Sequence, residues 1–220
     1  SFYAPIPDED LVRFADQLGD QFPCCAKAPA AVTSEGIPGL NRHHPNPDFL
    51  SAPRFIAEML EPFARSFSRH TGPFILQFSP PVDRKATNAD AFIEKLDAFL
   101  EQMPGEYRYA VEIRDKWALS GPYRDVLARH GVAHVYNYWS AMPMPGAQAR
   151  SMPPEDQPFV MVRLLLKPGK WYENQKQVFA PFDKLVEPDD DMRRDVLDIV
   201  HRASVAGGEA MRSTRRRIAL

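Results

Sequence analysis

With 220 residues, 44% of them hydrophobic and 25% charged, the chain has the composition of an ordinary globular protein, long enough for one large domain or two small ones. A net charge of −2 gives no electrostatic footing for binding polyanions in bulk, and apolar runs such as that from Phe74 to Phe78 fall far short of the roughly 20 residues of a membrane span. The opening SFYAPIPDED lacks a basic stretch followed by an apolar core, so no signal peptide is expected and the cytoplasm is the expected location.

In chain order, the segment from Asp8 to Leu18 places Leu11, Phe14, Ala15 and Leu18 on one helical face. Gln21 to Ala28 reads as a buried strand ending in Lys27. Its adjacent Cys24 and Cys25 suit neither a disulfide nor a zinc motif and are expected to be reduced strand residues. A long loop with Thr33, His43 and His44 follows. Asn46 and Pro47 are expected to start a helix whose stripe runs through Phe55, Ile56, Met59, Leu60, Phe63 and Phe67, with a kink or break at Pro62. Phe74 to Ser79 predicts a strand with Gln77 as its inner polar residue, and Asn88 a capped helix carrying Phe92, Leu96, Phe99 and Leu100.

Tyr107 to Trp117, YRYAVEIRDKW, then reads as a central strand with a charged end. Glu112 and Arg114, two residues apart, point the same way, and in a strand buried on both faces such charges must pair or meet a ligand. Tyr123 to His130 is a predicted helix closed by Gly131, and Val132 to Tyr138 the next strand. Pro143, Pro145, Pro153 and Pro154 mark a loop. Phe159 to Leu166 is an apolar strand with one embedded charge, Arg163, and Pro188 to Ala203 a last helix with Asp189, Asp190 and Asp191 in its first turn. From Arg215 to Leu220 a further strand is expected to begin. The 22 prolines sit mostly at junctions, which predicts rigid loops rather than a disordered linker. Apolar strands alternating with helices predict an α/β fold with a parallel sheet, in a barrel or a doubly wound arrangement. Without an internal repeat or a clear linker, residues 1–220 are expected to form a single domain.

Each predicted strand carries a polar side chain near its C-terminal end: Lys27, Gln77, Glu112 with Arg114, Asn137 and Arg163. In parallel α/β folds ligands gather at that end. Three cations against one carboxylate favour a small anionic ligand, with Arg114 and Arg163 as two-oxygen clamps. Lys27 and Glu112 are the candidates for proton transfer, because burial and a neighbouring charge can tune either pKa toward neutrality. The same four charges can also form a purely structural ion network, and Gln77 and Asn137 satisfied core hydrogen bonds. Trp117, Trp139, Trp171 and Tyr172 follow strand ends and can wall a cavity or pack over loops. His70 and His130 read as helix C-terminal caps, and the neighbouring His43 and His44 are poorly spaced to bind one metal. The arginines at 212 and 215–217 are expected to be solvated rather than bound to nucleic acid. No phosphate-binding glycine loop, GxSxG or HExxH is present.

FY at Phe2 and Tyr3, the Lys27 strand, NPDFL from Asn46, GPFILQFSPP from Gly72, YAVEIRDKW from Tyr109, HGVAHVYNYWSAMP from His130 and VRLLLKPGKWY from Val162 together resemble the domain of unknown function 72, or YecE-like, family. The resemblance covers nearly the whole chain and is most specific at Glu112, Arg114 and Trp117 and from Asn137 to Pro143. It implies a TIM-barrel-like (β/α)8 fold with Lys27, Gln77, Glu112, Arg114 and Arg163 around the barrel mouth, and Tyr3 at a matched position. It implies no reaction, since the family has no established activity. Members normally begin with two further strands, the second carrying an acidic residue shortly before the tyrosine matched by Tyr3, and end with a strand leading into paired asparagines. An incomplete barrel, a fragment with five complete strands, is therefore expected.

The expected function is binding of a small anionic or polyhydroxylated molecule at the strand ends, with acid/base chemistry by Glu112 and Lys27 and ligand contacts from Arg114, Arg163, Gln77, Asn137, Tyr3, Trp117 and Tyr172. No metal, cofactor or membrane partner is called for, and whether the chain is an enzyme stays open. The alternatives are a non-catalytic ligand-binding or interaction protein and a metal-dependent phosphodiesterase, the latter requiring His43 or His44 to approach Glu112. The oligomeric state is not encoded in any recognisable feature.

Overall fold

The computed structural model describes residues 4–20, 22–38, 44–81 and 88–218, with the backbone alone described from 208 onward. Its contacts cluster into two compact units, residues 1–118 and 119–220.

In the first unit, helix α1 (Asp8–Gln17) buries Leu11, and its first-turn acids suit the positive end of the helix dipole. Strand β1 (Cys24–Lys27) is shorter than the expected eight residues and leads into a single turn, α2 (Ala30–Thr33). Asn46 does not start a helix. Its amide nitrogen donates to the carbonyls of Ala31 (2.7 Å) and Ser34 (2.8 Å), while its oxygen accepts from the Asp48 N–H (3.0 Å). The residue that looked like a cap is instead satisfied as a loop clamp, one of the local bonds through which asparagine competes with helix.

Helix α3 (Ala52–Phe55) starts later, capped by Ser51, and passes through a π-helical turn, Ile56–Leu60, into α4 (Glu61–Ser66). The wide turn lies directly before Pro62, whose ring cannot donate to, and would clash with, the carbonyl four residues back. The helical run therefore continues past the proline by changing its local winding.

Strand β2 (Thr71–Phe78), helix α5 (Ala89–Leu100) and strand β3 (Tyr109–Ile113) complete the unit, with a 3₁₀ turn at Lys116–Ala118. Asn88 caps α5 as expected, accepting from the N–H groups of Asp90 and Ala91. β1, β2 and β3 pair in parallel, with Gln77 opposite Glu112 and Lys27 opposite Ile75. All five β3 residues are buried, as a parallel strand covered on both faces requires. Gly72 permits the close approach of β1, because a Cβ there would lie 2.8 Å from the Cys24 carbonyl oxygen. Phe55 packs edge-on against Phe74 and Phe99 at centroid distances of 6.0 and 5.8 Å. Burying each such ring contributes about 2 to 3 kcal/mol.

In the second unit, α6 (Gly121–Arg129) is capped by Ser120 and followed by Gly131 at φ +63°, the left-handed position that glycine takes without a Cβ penalty. Strand β4 (Ala133–Tyr138) follows. The proline-rich stretch expected to be a loop contains helix α7 (Pro145–Ser151). Pro145 stands in its first turn, where the missing N–H costs nothing, and the other prolines lie outside the helix. Strand β5 (Met161–Leu164) pairs with β4 in parallel, placing Asn137 opposite Arg163. Helix α8 (Tyr172–Phe179) has no buried residue.

Helix α9 (Asp190–Ile218) runs through the segment expected to begin a strand at Arg215. Glu209, Ala210, Met211 and the arginines that follow are good helix formers, and the apolar tail is too short to impose a strand period.

Parallel strands alternating with helices give an α/β fold of TIM-barrel-like type, incomplete in having five strands among the described residues. No described helix is long and apolar enough to cross a membrane.

Candidate functional site

In the first unit, the β1–β2–β3 register sets Lys27, Ile75, Gln77 and Glu112 on one face of the sheet, because residues opposite each other in a parallel ladder share a face and residues two apart return to it. The Lys27 ammonium donates to Gln77 Oε1 at 3.3 Å. The Arg114 Nε–H donates to Glu112 Oε1 at 2.9 Å, the glutamate side chain being 0% and the arginine 16% exposed. The pairing expected of Glu112 is thus present. Lys27, Gln77, Glu112 and Arg114 lie together at the carboxyl ends of three adjacent strands.

Trp117 sits just beyond, half-buried, its ring 5.0 Å from Phe92 and its backbone N–H donating to the buried Asp115 carboxylate at 3.3 Å. That carboxylate lies in the quoted motif, yet its role depends on the turn that follows β3 and has no sequence signature.

In the second unit, Asn137 and Arg163 are register partners, the first fully buried and the second half-buried. Tyr172 is 47% and Trp171 74% exposed, so neither ring is covered. Tyr3 and His43 lie outside the described residues, and His44 is exposed. His70 is buried, its Nδ1 3.0 Å from the Phe22 carbonyl oxygen, and His130 occupies the C-cap of α6.

The second unit also contains a buried polar cluster that the strand pattern did not announce. The Gln148 amide nitrogen donates to the carbonyls of Asn137 (2.6 Å) and Pro143 (2.7 Å), and its oxygen accepts from the Asn137 backbone N–H (3.1 Å). His134 Nε2 lies 3.3 Å from that oxygen and His134 Nδ1 3.1 Å from the Tyr123 hydroxyl. An amide oxygen only accepts, so Nε2 carries the proton and Nδ1 accepts from Tyr123. Burial pushes the His134 pKa down to about 4, partly opposed by the Gln148 bond. A neutral imidazole is therefore locked between α6, β4 and α7. His134 inside the apolar run VAHVYNY was the available signal.

A second cluster surrounds Asp189, which accepts from Lys167 Nζ and from the Tyr138 hydroxyl, each at 2.6 Å, and from the Met192 N–H at 3.0 Å. The Lys167 hydrogen bond, then those of Tyr138 and Met192, hold its carboxyl well below the usual range. The acidic run has the sequence of a helix start, and Asp189 does serve that role. Its bonds to Tyr138 and Lys167 were invisible in sequence because they span 51 and 22 positions.

The model of the family described as "Protein of unknown function DUF72" matches residues 1–219. Among solved structures, the chain is similar to a DUF72 family protein from Thermotoga maritima, with 18% identity, a TM-score of 0.56, and coverage of 92% of this chain and 71% of that one. It is also similar to a DUF72 family protein from Enterococcus faecalis, with 12% identity, a TM-score of 0.46, and coverage of 84% and 87% respectively. No curated protein matches.

Proposed function

The chain belongs to the DUF72 family, and from that premise we propose that its strand ends bind a small anionic or polyhydroxylated molecule and perform acid/base chemistry on it. The observation that carries this reading is the grouping of Lys27, Gln77, Glu112 and Arg114 on one sheet face, with a fully buried carboxylate held by a guanidinium at 2.9 Å. In this reading Glu112 exchanges the proton and Lys27 stabilises the charge that develops. Arg114 clamps the ligand, Gln77 orients it and Trp117 contributes contact surface. The chemistry would take place in the cytoplasm.

Because Arg114 already engages Glu112, a second reading has support: the pair holds the site's shape and the protein binds its ligand without turnover. Thermal unfolding against a panel of small anions, sugars, nucleotides and divalent metals tests both, using wild type and Arg114→Lys, which keeps the charge but loses the planar fork. A stabilising compound whose effect disappears in Arg114→Lys supports binding, and conversion of that compound by wild type but not Glu112→Gln selects catalysis. No stabilisation by any compound overturns the proposal.

A further inference from the structure

The second unit carries a cavity of about 580 Å³ beside the first turns of α9, with Arg150, Lys167 and Arg194 among its walls together with Asp191, Asp195 and Met144. That volume falls within the range of small-molecule sites. The cavity adjoins the carboxyl ends of β4 and β5, where the Leu166 N–H donates to the Tyr138 carbonyl at 2.7 Å and Lys167 follows directly. Ligands of parallel α/β folds collect at this end of the strands.

The two wall carboxylates already have partners. Asp195 accepts the Gly146 N–H at 2.8 Å, and a Cβ at position 146 would lie 2.5 Å from its other oxygen, so glycine is what lets α7 and α9 close on each other. Asp191 pairs with Arg194. Behind the wall, Asp189 fixes the Lys167 ammonium at 2.6 Å while its own side chain is only 8% exposed. Arg150 reaches back to the Gly146 carbonyl at 3.3 Å, leaving the rest of its five-donor fork for a ligand. Three cations thus line one cavity: Lys167 is held by the buried Asp189, Arg194 pairs with Asp191 of its own helix, and Arg150 is the one that bonds to a backbone carbonyl, while Asp195 holds α7 against α9.

We propose that this cavity is an oxyanion site that takes a phosphate- or carboxylate-bearing small molecule between Arg150, Arg194 and Lys167. Guanidinium groups supply paired donors for two oxygens, and the positive end of the α9 dipole adds to the attraction. The residues involved are different from those at the strand ends of the first unit, so the two sites are tested independently.

The experiment is a calorimetric titration of the full chain with inorganic phosphate and, separately, malonate, at two salt concentrations. The proteins are wild type, Arg150→Gln, the double variant Arg150→Gln/Arg194→Gln, and, as a control for loss of a surface cation outside both sites, Arg124→Gln. Circular dichroism checks that each is folded. A binding event that weakens by about tenfold in Arg150→Gln, is lost in the double variant, falls with added salt and is unchanged in Arg124→Gln supports the site. The stronger of the two probes identifies the oxyanion class. Wild-type affinity for every binding event in the double variant, no binding to wild type, or an equal loss in Arg124→Gln overturns it.

Discussion

Lowering the pH should weaken the fold through His134. Its folded-state pKa, about 4 against an ordinary 6.5, is depressed chiefly by burial, so between these values the unfolded chain binds a proton that the folded chain refuses. Stability linked to this group is fully present above pH 6.5 and is lost as pH falls toward 4. The full interval corresponds to about 3 kcal/mol, of which about 2 kcal/mol is lost between pH 7 and pH 5. Urea unfolding of wild type and His134→Leu at both pH values isolates the effect, since carboxylates titrate in both proteins. The variant starts less stable, because Tyr123 and Gln148 lose a partner, but the readout is the difference in pH dependence. Wild type should lose about 2 kcal/mol more than the variant over this interval. Parallel pH profiles would refute the assignment of a buried, neutral imidazole.

Arg114→Ala takes the guanidinium partner from the buried Glu112 carboxylate and should cost about 3 to 5 kcal/mol at neutral pH, measured as a shift in urea midpoint. Gln148→Ala leaves both backbone groups of Asn137 without their side-chain partner. The expected loss is about 2 to 4 kcal/mol, with faster amide exchange at Asn137. Gly72→Ala forces a methyl against the Cys24 carbonyl and should cost about 1 to 3 kcal/mol, whereas Gly105→Ala, where no atom lies within 4 Å of the added carbon, should change the midpoint little.

What sequence made legible was local. Asn88 four residues before an apolar face, Gly131 after a helix, and Glu112 two residues from Arg114 each determine their surroundings through a handful of neighbouring atoms, and each is found doing so. Where the outcome depended on a distant partner, local signals misled. Asn46 has the chemistry of a cap, but the carbonyls of Ala31 and Ser34 engage it first. Pro143 to Pro154 look like continuous loop until the helix-forming residues between the prolines dock through Gly146 and Gln148. The His134 cluster and the Asp189 hub join residues far apart in sequence, so no spacing rule points to them. The strand-end polar positions were found by the same regularity that located the strands, and those of the first unit lie together because parallel register leaves them on one face.

Ligand binding at the strand ends of the first unit can be read out in an NMR titration that follows the arginine Nε–H resonances with citrate as the small anionic probe. The Arg114 signal should shift in a saturable way, and Glu112→Gln, which alters the pair without removing the arginine, should change the affinity. An Arg114 signal that stays fixed up to saturating citrate, whatever the other arginines do, would contradict ligand binding at these strand ends and leave Glu112 and Arg114 as a structural ion pair.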